Sequence, residues 1–303
     1  MRIGIFGGEA ASTGTVDDLV EAARQTEADG FDAFWLPQIF GHDAVTALAI
    51  IGREIPRIEV GTAVVPTYPR HPVMLAGQAL TAQGASRGRF TLGIGLSHQM
   101  VIESMFGLSF DKPVRHMREY LAILLPLIAE GSVSYSGQTL SANAAVSVAG
   151  ATPCPVLIAA LGPKMLELAG TQTDGTITWM TGPSTLTEHT VPTITKAAAS
   201  ADRGEPRIVA ALPVAVTDDP DAARARAAKV FEIYGMLPSY RAMLDREGAS
   251  GPADVALVGD EATVRSGVDR VRQAGVTDFV ANEFASGPAD QVRTRDLLKS
   301  LVS

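Results

Sequence analysis

Apolar residues along this chain fall into two alternating patterns. Short runs dense in Val, Ile, Leu and Phe, such as "RIGIF" and "FDAFWL", read as strands buried on both faces. Between them lie longer stretches whose apolar residues recur at helical spacing. Strands are predicted at 2–6, 32–36, 57–65, 89–95, 155–160, 174–179, 207–216 and 277–282, with helices near 72–85, 113–130, 162–171, 185–201 and 219–234. Two further helices carry explicit punctuation. Thr15 followed by Asp18 forms a capping box, Leu19, Val20 and Ala23 share a face, and Gly30 supplies the stop before "FDAFWL". Near the other end Asp260 caps, Val264, Val268 and Val271 share a face, and Gly275 stops the helix before "TDFVA". Eight alternating βα units in one chain predict a closed (β/α)8 TIM barrel over an open doubly wound sheet. The chain is read as one domain, residues 1–303, with insertions near 131–154 and 235–256.

Its length fits, since 303 residues is slightly more than the roughly 250 typical of such a barrel. A composition of 46% apolar and 19% charged residues supplies a large core and an ordinary solvated surface. The net charge of −8, without a sustained Lys/Arg run, argues against nucleic acid or an anionic membrane as partner. Cys154 is the single cysteine, so neither an intrachain disulfide nor a thiolate metal cluster is available, and no metal site is expected. The most apolar helical stretch, "YLAILLPLIA", is far short of a membrane span, and the expected location is the cytoplasm.

The stretch "FTLGIGLSHQM" at 90–100 poses the main chemical question. A dinucleotide fingerprint requires Gly-x-Gly-x-x-Gly opening a helix, yet after Gly93 and Gly95 the third position is His98. The glycines therefore read as positions within the fourth barrel strand, where missing side chains admit a close neighbour. Ser97 and His98 then stand at that strand's C-terminal end, the face on which barrel enzymes build their sites. His98 is the candidate proton donor, weighed against an ordinary loop histidine; His42, His71 and His116 are read as structural. In "LIAALGPKMLELAG", Gly162 and Pro163 open a helix whose unpaired N–H groups suit an anion, with Lys164 adding charge. Trp179 either walls a pocket or is an ordinary barrel residue.

Taken in order, "MRIGIF", "FDAFWLPQ", "VGTAVVPTYPRHP", "RFTLGIGLSH", "LGLSFDKPVRHMREYLAIL" and "AALGPKMLELAGTQTDGTITW" resemble the luciferase-like monooxygenase superfamily, in its branch that uses the deazaflavin coenzyme F420. The resemblance covers nearly the whole chain and implies a (β/α)8 barrel with insertions. It implies a cis peptide at Ala63–Val64 behind the cofactor ring, and a phosphate-holding turn at Ala159, Ala160, Leu161, Gly162 and Pro163. Gln38, Ala63, Val64, Ser97 and His98 would surround the ring. The sugar-phosphate dehydrogenases of that branch carry Asp-His where this chain has "LPQI", and a glutamate where it has His98. Their substrate is therefore not carried over.

The implied function is F420-dependent hydride transfer between the deazaflavin C5 and a small organic substrate. Two alternatives stand beside it: an FMN-dependent monooxygenase, and a barrel that binds cofactor without catalysis. A homodimer is left open.

Overall fold

The computed structural model describes residues 1–8 and 13–302. Its centre is a ring of eight parallel strands: β1 (Arg2–Phe6), β2 (Ala33–Leu36), β3 (Glu59–Thr62), β5 (Phe90–Gly95), β8 (Val156–Ala159), β9 (Gly175–Trp179), β10 (Arg207–Val216) and β12 (Asp278–Glu283). Each pairs with the next, and β12 returns to β1 through Arg2↔Asp278 to Ile5↔Ala281, closing the barrel. The short β4 (Val65–Pro66) pairs with β5, and β11 (Leu257–Gly259) with the end of β10. The chain thus folds as a (β/α)8 TIM barrel.

Helices wrap the outside: α1 (Val16–Ala28), α2 (Ala44–Glu54), α3 (Pro72–Ala85), the short α4 (Gln99–Ser104), α5 (Pro113–Ala129), α6 (Pro163–Gln172), α7 (Val191–Ser200), α8 (Pro220–Val230), α9 (Glu232–Met236), α10 (Pro238–Glu247), α11 (Glu261–Gln273) and α12 (Pro288–Lys299). The caps form as the sequence indicates: Thr15 and Asp18 complete the box on α1, and Asp260 Oδ1 accepts from the Thr263 N–H at 2.8 Å. α2, α4, α10 and α12 are helices the sequence pattern did not yield. A π turn, Leu186–Thr190, lies in the helical segment 183–200 just ahead of α7. Residues 132–145 form an antiparallel hairpin, β6 (Ser132–Ser136) and β7 (Ser141–Ala145), anchored by Glu119. That buried carboxylate accepts from the Gln138, Thr139 and Leu140 N–H groups at 2.7–3.0 Å and from the Thr139 hydroxyl. Among the described residues no helix is long and apolar enough to cross a membrane.

Most core residues lie between strands and helices, while Ala33, Trp35, Leu157, Ile177, Val209, Ala211 and Val280 fill the barrel itself. Beneath them, at the N-terminal ends of the strands, Arg207 bridges Glu59 and Asp278 at 2.6 Å each, and Arg2 reaches Glu59 at 2.7 Å. Arg207 also lies 5.5 Å from the Trp35 ring centre. This floor closes the barrel at the end opposite the expected site.

The predicted strand 57–65 is interrupted. Gly61 pairs with Thr91 and Val65 with Ile94, so one more residue lies between these pairs on the β3–β4 side than on β5. The result is a bulge. Its orphaned ladder groups are met by one side chain: Thr62 Oγ1 donates to the Gly93 carbonyl and accepts from the Gly93 N–H, both at 2.8 Å. A Cβ on Gly93 would lie 2.1 Å from the Thr62 carbonyl oxygen, so only glycine fits against the bulge. The Ala63–Val64 peptide within it is cis, in agreement with the expectation from the resemblance.

Candidate active site

At the C-terminal ends of the strands the barrel opens into a cavity of about 490 Å³. The strand ends deliver Phe6, Gly95, Ala159, Trp179 and Asn282, and the bulge delivers Ala63 and Val64. One side is small and smooth, because Gly95 lies under Val64 and beside Ala159: a Cβ on it would stand 2.6 Å from Val64 Cγ2. The opposite side is aromatic. Phe6 stacks on Trp179 with ring centres 5.8 Å apart, Tyr234 meets Trp179 edge-on at 6.0 Å, and Tyr240 meets Tyr234 at 4.9 Å. Burial raises the pKa of both tyrosines, so each phenol stays neutral.

Ser97 follows β5 with φ of 61°, in the left-handed region that costs a non-glycine residue roughly 1–2 kcal/mol. This turn redirects the chain so that both Ser97 and His98 line the cavity. Met180, just after β9, has φ of 54° and makes a similar turn beside Trp179. The His98 ring lies 5.8 Å from that of Tyr240, and among the described residues no hydrogen bond engages its nitrogens. Burial lowers its pKa, leaving the imidazole neutral near pH 7. Among the described lining residues there is no Asp, Glu, Lys or Arg.

The other positions singled out in the sequence divide. Gln38 lines the cavity, but its amide also braces the neighbouring loop, accepting from the Ala44 N–H at 2.7 Å and donating to the His42 carbonyl. Leu161 and Gly162 line the cavity with Ala159, whereas the Ala160 side chain is buried in the outer core, as side-chain alternation at the strand end dictates. Pro163 is likewise outside the lining and serves as the first residue of α6. No side chain caps α6, and the space beside Gly162 is open: a Cβ on this residue would meet nothing within 4 Å. The ring of His189, in the π turn, hydrogen-bonds the Leu161 carbonyl at 2.8 Å and so fixes the turn before α6. His71 caps α3 and His116 bonds the Thr67 hydroxyl, both away from the cavity.

Sequence reasoning missed Phe6, Tyr234, Ser239, Tyr240 and Asn282. Phe6 and Asn282 had a signal, since each ends an apolar strand run at the functional face. The tyrosines had none: Tyr234 ends the helix predicted near 219–234, and Tyr240 lies in the insertion near 235–256.

The family model described as luciferase-like monooxygenase matches residues 1–297. A 5,10-methylenetetrahydromethanopterin reductase from Methanolobus tindarius is 28% identical over 96% of this chain and 89% of its own. Among solved structures, a coenzyme F420-dependent tetrahydromethanopterin reductase from Methanopyrus kandleri superposes with a TM-score of 0.81 at 21% identity, covering 99% of this chain and 98% of that one. An F420-dependent secondary alcohol dehydrogenase, solved with an F420–acetone adduct, gives 0.82 at 19% identity with the same coverage. With the barrel, the bulge and the strand-end cavity already in place, the near full-length match makes this chain a member of the luciferase-like monooxygenase family.

Proposed function

We propose that this protein is an F420-dependent oxidoreductase that moves a hydride between C5 of the deazaflavin and a small, uncharged organic substrate. The observation that carries the reading is the lining: small residues on one side, aromatics on the other, and no formal charge among the described residues. A carboxylate or phosphate on the substrate would lose its hydration there without gaining a counter-ion. The residues fit the cofactor as well. Ala63, Val64, Gly95 and Ala159 leave room for a flat ring, and the uncapped α6 beside the open space at Gly162 suits a phosphate. When bound, F420 supplies a two-electron hydride carrier that reacts poorly with oxygen. The names of the reductase and dehydrogenase relatives support this choice.

His98 handles the proton. Its neutral imidazole is ready to accept one from an alcohol during substrate oxidation. In the reducing direction, negative charge growing on a substrate oxygen favours the imidazolium and so draws protonation to His98. Ser97, at its side, orients the substrate or the ring.

Titration of the purified protein with F420 and with FMN, followed by fluorescence, tests the cofactor. F420 is expected to bind tightly and FMN weakly; tight binding of FMN alone would overturn the reading in favour of a flavin monooxygenase. Gly162→Glu places a bulky anion in the phosphate cradle and is expected to weaken F420 binding at least tenfold without unfolding the protein.

A further inference from the structure

Twelve large apolar side chains stand exposed among the described residues, and nine of them lie on segments that leave the C-terminal ends of three strands: two after β2, four after β5 and three after β10. Scattered singly, exposed apolar side chains need no explanation, but this set gathers on the face where the cavity opens. Ile39 belongs to both, since it lines the cavity and is 57% exposed. Phe40 follows it. Met100 stands two residues beyond His98 in the first turn of α4, and Met236 lies between Tyr234 and Ser239, which both line the cavity. Each of these four is more than half exposed. The ring contact between His98 and Tyr240, at 5.8 Å, joins the segments after β5 and β10 at the cavity. Residues 37–42, 96–102 and 233–239 hold no Asp, Glu, Lys or Arg, in a chain that is 19% charged. The uncharged cavity is thus continued outward by an apolar collar.

The room inside the barrel says what the collar is for. The cavity of about 490 Å³ lies within the roughly 300–1,000 Å³ of a site for one drug-sized ligand. Under the F420 reading above, on which this inference rests, the flat cofactor ring shares that volume with the reacting end of the substrate. The floor at Arg207 closes the other way out. Any further part of the substrate therefore extends through the mouth, where the exposed apolar side chains are Ile39, Phe40, Met100 and Met236. We propose that the substrate bears an apolar hydrocarbon portion beside its reacting group, and that the collar holds this portion. The contact removes apolar surface from water on both partners, whereas a charged portion would lose hydration there and gain no counter-ion. Methionine suits such a surface, because its unbranched, polarizable side chain adapts to the shape laid on it. A hydrocarbon half covered by the collar gains roughly twofold in affinity per methylene, against about fourfold for full burial.

The test titrates the protein, loaded with oxidised F420, with methyl ketones from butanone to 2-decanone by calorimetry. Oxidised F420 has no hydride to give, so the ketone binds without reacting. Affinity is expected to rise roughly twofold with each methylene once the chain reaches the mouth. In the double variant Phe40→Ser, Met236→Ser, with both changes on exposed side chains, that rise is expected to disappear. The rise is a ratio within one protein, so a general loss of folded material does not mimic its disappearance. Affinity independent of chain length, or an undiminished rise in the variant, would overturn the collar assignment while leaving the F420 reading standing. So would a dimer of the unaltered protein that the same substitutions dissociate, since a second copy would then be the occupant. Failure of the unaltered protein to take up F420 would overturn both.

Discussion

Replacing Thr62 with valine removes one oxygen and keeps the shape. Thr62 is fully buried, and its hydroxyl is the partner of both the N–H and the carbonyl of Gly93 across the bulge. In β5 these two groups face the bulge, while the Leu92 N–H faces the other way and donates to the Pro155 carbonyl. Valine would therefore strand a buried donor and a buried acceptor that no neighbouring strand can reach. An unsatisfied buried group costs about 1–3 kcal/mol, and carbonyls tolerate the loss better than N–H groups, so the pair should cost about 2–4 kcal/mol. In a domain of this size that corresponds to a fall in Tm of roughly 3–6 °C. Urea unfolding and thermal melts of wild type, Thr62→Val and Thr62→Ser measure it. Serine keeps the hydroxyl and loses a methyl, so it should cost no more than about 1 kcal/mol. A valine variant as stable as wild type, or a serine variant as damaged as the valine one, would refute the claim that this hydroxyl holds the bulge together.

Two further predictions concern titratable groups. His98→Ala should lower turnover by roughly 10²–10⁴-fold with cofactor affinity nearly unchanged, measured under saturating cofactor. In the reducing direction the wild-type rate should fall as pH rises through a midpoint below 6.5, because burial lowers the His98 pKa; in the oxidising direction it should rise through the same midpoint and level off. For Glu119, burial alone would raise the pKa, but hydrogen bonds from Thr139, Gln138 and Leu140 outweigh it and hold the carboxyl down to about 2. A depressed carboxyl contributes stability above its unfolded value of 4.5 that disappears as pH falls toward 2. Allowing for solvent screening at the hairpin, the contribution is about 1–2 kcal/mol, and Glu119→Gln should flatten stability between pH 5 and 2 when followed by urea unfolding.

Local rules carried the sequence reading furthest where one residue decides the outcome. Thr15, Asp260, Gly30 and Gly275 mark helix ends by their own chemistry, and those ends are where the chain turns. α2 escaped notice because Val45, Ala47, Leu48, Ala49, Ile50 and Ile51 are nearly consecutive, which blurs the helical period even though Asp43 caps it. Ala160 shows the limit at the site: whether a residue faces cavity or core depends on strand phase, and one step reverses it. The bulge is a mismatch of register between two strands, which neither strand encodes alone. Tyr234 and Tyr240 reach the aromatic wall by packing between elements distant in sequence, information that periodicity does not hold.

The floor formed by Trp35, Arg207, Glu59 and Asp278 makes the barrel a well with a single mouth. Traffic through such a well is last in, first out. Whatever seats against the strand ends must arrive before anything that covers it, and it cannot be exchanged until the covering molecule has gone. Under the F420 reading proposed above, this geometry predicts that the hydride carrier binds before the substrate. Steady-state inhibition patterns would show that order as competition at the lower seat and its absence at the upper one.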